Sequence, residues 1–417
     1  MARRSPSLTI VHDQAQKFAC RECPARCCTA PWAYPVTREE RDRILADEQA
    51  VERLTARGEA ILRVGVLPAR ERGGSLACVF LDDDLLCSLQ KRHGHAFLPA
   101  ACQAFPFGFA KNERGQTLAL ASRYCPSVRE NRGDPIGPLL DEKKKLVAEP
   151  SQVSQKMGLR SGRVLSQSQF VRVVGEWALR LGQDNVAAAL AHCFDLTEAI
   201  DRALPVDKNP TDAEFDEILA AAKQAIPAAP LARQSTGFTG RIVMAHLLSS
   251  LCLPARVMQG HRLRPFSWFE RMKVWTVRLA WLLGRGKVQL LFVEPPVPLS
   301  RIERTRPILQ GGHKGLVSDY LFEIIQRRQG MTRQTYLHRV LIDLALMAVL
   351  ISRYARAFAA AESTAEPSRQ HIQEGIGVAE LLFTLDGETD QSPVLQQVRL
   401  KLMSDRRAFR RLLAAEV

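Results

Sequence analysis

Cys20-Arg-Glu-Cys23-Pro-Ala-Arg-Cys27-Cys28 is the stretch on which the reading of this chain turns. Its spacing is C-x2-C-x3-C-C, so four thiols lie close enough in sequence to converge without help from distant chain. Convergent thiolates are what a soft metal ion or an iron–sulfur cluster requires. Four of the 10 cysteines follow further on, Cys78, Cys87, Cys102 and Cys125. All eight, Cys20, Cys23, Cys27, Cys28, Cys78, Cys87, Cys102 and Cys125, are candidate metal ligands.

A disulfide framework is the competing explanation, and the compartment decides between them. Residues 1–10, MARRSPSLTI, start basic but contain no apolar core and no small-residue cleavage site, so the expectation is a cytoplasmic protein. Thiols stay reduced there, and clustered cysteines more often bind metal or react than pair. One zinc ion takes four ligands and leaves thiols over; two would use them all; a cubane iron–sulfur cluster takes four, with the others binding zinc, forming a second site or tuning the first. Spacing alone leaves these choices open. Adjacent Cys27 and Cys28 are expected to serve different metal atoms, because neighbouring side chains diverge. His93 and His95 flank Gly94 near Cys87 and read as surface or hydrogen-bonding histidines, with a ligand or proton shuttle as the alternative. Cys193 and Cys252 stand in apolar helical surroundings and are expected to be buried and inert.

The chain has 417 residues, 46% of them hydrophobic and 24% charged, enough for two or three domains with a substantial core. The expected fold is mainly α, a small loop-rich cysteine metal-binding module followed by a helical domain. The module takes residues 1–130. A linker rich in charge, Gly and Pro follows at 131–152 and includes Lys143-Lys144-Lys145. The helical domain takes 153–417, with Glu294-Pro-Pro-Val-Pro298 marking a further division near 294–315. Thr37-Arg-Glu-Glu40 and Thr211-Asp-Ala-Glu214 are capping boxes that start helices, and helical periodicity runs over 171–181 and 186–203. Asp82-Asp83-Asp84 reads as a turn. A last helical group is expected at 316–361, with an exposed loop at 362–370.

A net charge of +14 suits nucleic acid, an acidic protein or a membrane surface. Without a Lys/Arg tract interleaved with aromatics, or zinc-finger spacing, nucleic acid is not the expected partner. The apolar run 340–351 contains Asp343 and is too short for a span of about 20 residues, so a buried helix is expected and no transmembrane segment. Residues 266–293 interleave Trp268, Trp275 and Trp281 with Arg271, Lys273, Arg278, Arg285 and Lys287. That is an amphipathic helix, with either aromatic packing and a solvated basic face or peripheral contact with a membrane or partner. No P-loop, nucleophile elbow, His-Glu-x-x-His or Gly-x-Gly-x-x-Gly is present. The C-x3-C-x2-C order of radical S-adenosylmethionine enzymes is also missing, since Cys20, Cys23 and Cys27 run with the spacings reversed.

The cluster is followed by Cys78-Val-Phe-Leu81, Leu86-Cys87-Ser-Leu-Gln90 and Cys102-Gln-Ala-Phe-Pro106, with Gly94 and Leu98 in step. This series resembles a bacterial cysteine-cluster family associated with zinc or iron chelation, and within it the flagellin lysine-N-methylase branch. The resemblance covers residues 18–126 and is architectural beyond them. It implies a cysteine-bound iron–sulfur cluster and, for that branch, methyl transfer from S-adenosylmethionine to lysine side chains of flagellin. The chain departs from the branch at Thr29-Ala-Pro-Trp32, where Gly-Trp is usual, and after Cys102 and Pro106, where the branch carries arginines. Two functions stand open: a protein-lysine N-methyltransferase acting on a protein such as flagellin, and a non-catalytic zinc- or iron-binding interaction protein. No catalytic residue is assigned.

Overall fold

Apolar periodicity is short and interrupted before residue 150 and long after it, and the elements follow suit. The computed structural model describes residues 10–11, 15–20, 25–29, 34–55, 65, 67–72, 75–111, 117–146, 151–152, 157–183, 185–205, 209–226, 231, 237–249, 267–309, 314–327, 336–388 and 393–416. Among the described residues the chain is 65% helical, with 18 helices and only short strand pairs, the mainly α class expected. The chain forms two compact units, Met1–Ser151 with Leu251–Val274 and Gln152–Ser250 with Trp275–Val417.

The first unit opens with β1 (Ile10–Val11), β2 (Lys17–Phe18), α1 (Arg26–Thr29), α2 (Arg38–Leu45) and α3 (Glu48–Thr55). Next come the hairpin β3 (Ala69–Arg72) and β4 (Ser75–Cys78), then α4 (Ser88–His93) and α5 (Ala100–Ala104). A second hairpin, β5 (Phe107–Lys111) and β6 (Thr117–Ala121), leads through α6 (Pro126–Arg129) and β7 (Asp134–Pro135) to α7 (Gly137–Lys145). Strands β5 and β6 pair antiparallel with Phe107 opposite Ala121, and β1 joins β6 in parallel. Alternation along β6 buries Thr117, Ala119 and Ala121 on one face.

That face packs with Phe18, Phe107, Phe109, Val128, Ile136 and Leu140 into one small core. A second core gathers Val36, Ile44, Ala50, Leu54, Phe80, Leu89 and Leu98, and a third joins Ala25, Ala77 and Leu81. The stretch expected as a linker at 131–152 instead carries β7 and α7, because Ile136 and Leu140 recur at helical spacing beneath its charge and proline and reach the first core. Asp47 ties α3 to α4, accepting from Arg92 at 2.6 Å and His93 at 2.8 Å. Burial alone would raise its pKa; the bonds from Arg92 and His93 outweigh it and hold it at about 2. The turn expected at Asp82–Asp84 is present, pinned by Arg53 and Lys91.

The second unit contains α8 (Gln167–Gln183), α9 (Val186–Ala203), α10 (Asp212–Ala225) and α11 (Gly237–Ser249). Helix α12 (Trp268–Leu283) begins in the first unit and ends in the second. After it come α13 (Leu299–Arg304), α14 (Lys314–Arg327), α15 (Leu337–Ala361), α16 (Arg369–Glu388), α17 (Pro393–Ser404) and α18 (Arg406–Ala414). Helix α15, 25 residues long and buried along almost its whole length, is the hub. Its Asp343 is buried with the run 340–351 and accepts from Arg399 Nε at 2.7 Å. Helix α16 crosses it closely at Gly375, where a Cβ would lie 2.8 Å from Ile351 O. The Thr211–Glu214 capping box starts α10, and 362–370 is exposed save for Pro367, with α16 beginning at Arg369. Around the division expected near 294–315, Leu299 and Ile302 are buried and α13 packs on α15. No described helix is long and apolar enough to cross a membrane.

Candidate metal centre

The three small cores of the first unit meet where the cysteines are. Cys125 belongs to the first, Cys78, Cys87 and Cys102 border the second, and Cys28 and Cys78 border the third. Between them lies a cavity of about 100 Å³ lined by Cys20, Cys27, Cys28, Cys78, Cys87, Cys102 and Cys125. Cys23 and Cys252 lie outside the described residues. Seven of the eight candidate ligands are therefore brought to one wall from six places along the chain.

Local structure explains each position. Cys27 and Cys28 sit on α1, whose Cys27 carbonyl accepts from the Tyr34 hydroxyl at 3.1 Å. Cys78 ends β4. Cys87 and Cys125 are the N-cap residues of α4 and α6, with sulfurs near helix N-termini. Cys102 is on α5, and Glu40 of the α2 capping box docks that helix: one oxygen accepts from Thr37 N at 2.8 Å, the other from Ala100 N at 2.6 Å. Exposed Cys20 is carried by a segment that Gln16 fastens to Val128 O at 3.1 Å and Ala19 N fastens to Ser127 Oγ at 2.8 Å.

Cys27 and Cys28, expected to serve different metal atoms, have their sulfurs 3.8 Å apart. The Cys28 thiol holds the Cys27 pKa below its ordinary value, and the same contact with Cys27, aided by burial, pushes Cys28 well above. Burial pushes Cys78 up to about 12 and raises Cys87 and, strongly, Cys102, with the neighbouring cysteine sulfurs adding to it. Such thiols give up their protons only to a strong competing cation.

The donor chemistry fits a soft centre. Seven thiols and no carboxylate line the cavity, which disfavours hard cations and suits zinc or iron–sulfur ligation. Among the described residues, no three His, Cys, Asp or Glu side chains already close on one point as an ion site; the thiols line a wall. Cys20, Cys27, Cys28, Cys78, Cys87, Cys102 and Cys125 are the side chains that could hold such a group.

Two cavity residues matter beyond the thiols. Lys143 of α7 is buried and lines the cavity; burial lowers its pKa. The sequence places it within the linker's Lys143-Lys144-Lys145 run, while Ile136, Leu140 and Lys143 share helical spacing that sets Lys143 on the inward face. His95 also lines the cavity, its pKa lowered by burial and then by the Lys143 charge. His93 instead binds Asp47 and stacks on Phe97 at 4.1 Å. Cys193 is buried in α9 as expected.

No family model matches the chain, and no solved structure matches it. It is 31% identical to the flagellar biosynthetic protein FliU of Salmonella muenchen over 138 residues, 30% of this chain and 78% of that protein.

Proposed function

We propose a function from the premise that the chain belongs to the family of the flagellar biosynthetic protein FliU: it serves flagellar biosynthesis, and its cysteine-lined cavity holds an iron–sulfur cluster. The finer reading is methyl transfer from S-adenosylmethionine to lysine side chains of flagellin. The observation that carries the cluster is the gathering of seven thiols, without a carboxylate, on one cavity.

When bound, the cluster supplies redox or Lewis-acid chemistry that the protein's own side chains lack. The residues themselves do four things. The thiols hold it. Phe80, Leu89, Leu98 and Phe105 line the wall and keep water away. The Lys143 ammonium offsets thiolate charge. Tyr34 fixes the turn of α1 that carries two of the sulfurs.

The test is iron and acid-labile sulfide analysis with a visible spectrum on protein purified without oxygen. Iron with sulfide and a brown charge-transfer band is expected, lost in Cys102→Ser and retained in Cys193→Ser. Methylation of purified flagellin, followed by mass spectrometry with S-adenosylmethionine present, then tests the activity. Colourless protein carrying only zinc overturns the cluster and leaves a non-catalytic zinc-binding interaction protein.

A further inference from the structure

Helix α12 (Trp268–Leu283) turns an apolar stripe to the outside. Trp268 is 67% exposed, Phe269 78%, Trp275 64%, Leu279 54% and Leu283 59%, with Met272 at 45%. At 3.6 residues per turn, Trp268, Met272, Trp275, Leu279 and Leu283 fall within an arc of about 80°. The opposite side is occupied, since Val274, Val277 and Trp281 are buried. The stripe is therefore the outer face of a docked helix, and isolated exposed apolar residues are ordinary where a continuous ridge is not.

Charge frames this ridge. By the same geometry Arg271 and Arg278 lie along one edge and Lys273 along the other, while Arg285 and Lys287 follow the C-terminal end. Glu270, the helix's single acid, faces away from the stripe and accepts from Ser267 N at 2.6 Å as part of an N-terminal cap. The Arg278 guanidinium lies 6.0 Å from the Trp275 ring centroid.

We infer that α12 is an in-plane anchor for an anionic lipid surface. Aromatic and aliphatic side chains on one arc, with cations at its borders, match the gradient of a bilayer interface: rings reach the acyl boundary while basic groups stay among anionic headgroups. A second copy of the chain is a poorer occupant, because two such stripes packed together would set basic edges against basic edges. The helix has 16 residues and lies along the surface without crossing. This inference does not depend on the proposed cluster, since it uses no cysteine.

The test is vesicle flotation of the full-length protein with phosphatidylcholine alone or with added phosphatidylglycerol, at low and high salt. The expected result is flotation with anionic vesicles, loss in high salt, and quenching of tryptophan fluorescence by lipids brominated on the acyl chain. Trp268→Ser with Trp275→Ser should abolish both flotation and quenching while leaving circular dichroism unchanged. Arg271→Gln with Lys273→Gln should weaken binding on the order of 25-fold, about fivefold per basic residue near an anionic leaflet. Three results overturn the inference: no flotation with anionic vesicles; flotation unaffected by the tryptophan substitutions, which puts contact elsewhere on the basic surface; or self-association in sedimentation velocity that the tryptophan substitutions abolish without any vesicle binding.

Discussion

Lys143, Lys144 and Lys145 are consecutive, yet only Lys143 is buried. Burying an ammonium is costly unless opposite charge meets it, and its nearest acid, Glu142, stands 4.0 Å away on an exposed side chain. Under the proposed function, thiolates of the wall would be the counter-charge for this placement. Lys143→Met should therefore loosen the metal on the order of tenfold in chelator competition, the scale of one unit charge a few ångströms away in a partly screened site. Lys143→Arg should restore it. Metal content with equal chelator resistance in both variants would remove Lys143 from the centre's electrostatics. Among the cysteines, burial acts against deprotonation at Cys78, Cys87 and Cys102, so thiolates there would need a bound cation, not solvent, to stabilise them.

Short elements make the module, and single contacts therefore decide how they join. Gly133, just before β7, has φ +101, and a Cβ there would lie 2.5 Å from Ala19 Cβ and 2.6 Å from Ala19 N. Gly133→Ala combines a disfavoured backbone conformation with a clash against rigid chain leading to Cys20. A loss of about 2–4 kcal/mol in urea unfolding is expected. Asp47 offers a pH test of the α3–α4 joint. Its folded pKa of about 2 lies below the ordinary 3.8, so its stabilisation is complete above 3.8 and is lost as pH falls through about 2. Relative to Asp47→Asn, the protein should be more stable at neutral pH by on the order of 1 kcal/mol. The two urea midpoints should converge in strong acid.

At the scale of the whole molecule, each unit solves burial differently. The first uses three small cores around a cavity, whereas the second wraps helices around α15 and closes it with charge. Glu416 is buried beside that helix, 2.5 Å from Arg353 Nε and 3.4 Å from Arg356 Nη1, and accepts from Ser352 Oγ at 2.6 Å. Glu303 meets the same two arginines from α13, more exposed. Glu416→Ala leaves two buried guanidinium groups short of counter-charge, and a loss of about 3–5 kcal/mol is expected in the second unit's urea transition. An unchanged midpoint would show that Glu303 alone neutralises the pair.

By itself the sequence determined whatever rests on neighbours along the chain. Both capping boxes start helices where they were read, and 186–203 is helical to the residue, because N-caps and apolar periodicity act within one or two turns. The thiol-rich module was legible for the same reason, as a local spacing of cysteines. Tertiary structure alone decided which of them share a wall, that Cys27 and Cys28 face each other, and that 131–146 packs into the first unit. It alone turned one lysine of three inward and left the stripe of α12 outside. Each of those outcomes depends on contacts between segments distant in sequence, where the side chains that close a cavity or leave a face bare are chosen by packing and not by the residues beside them.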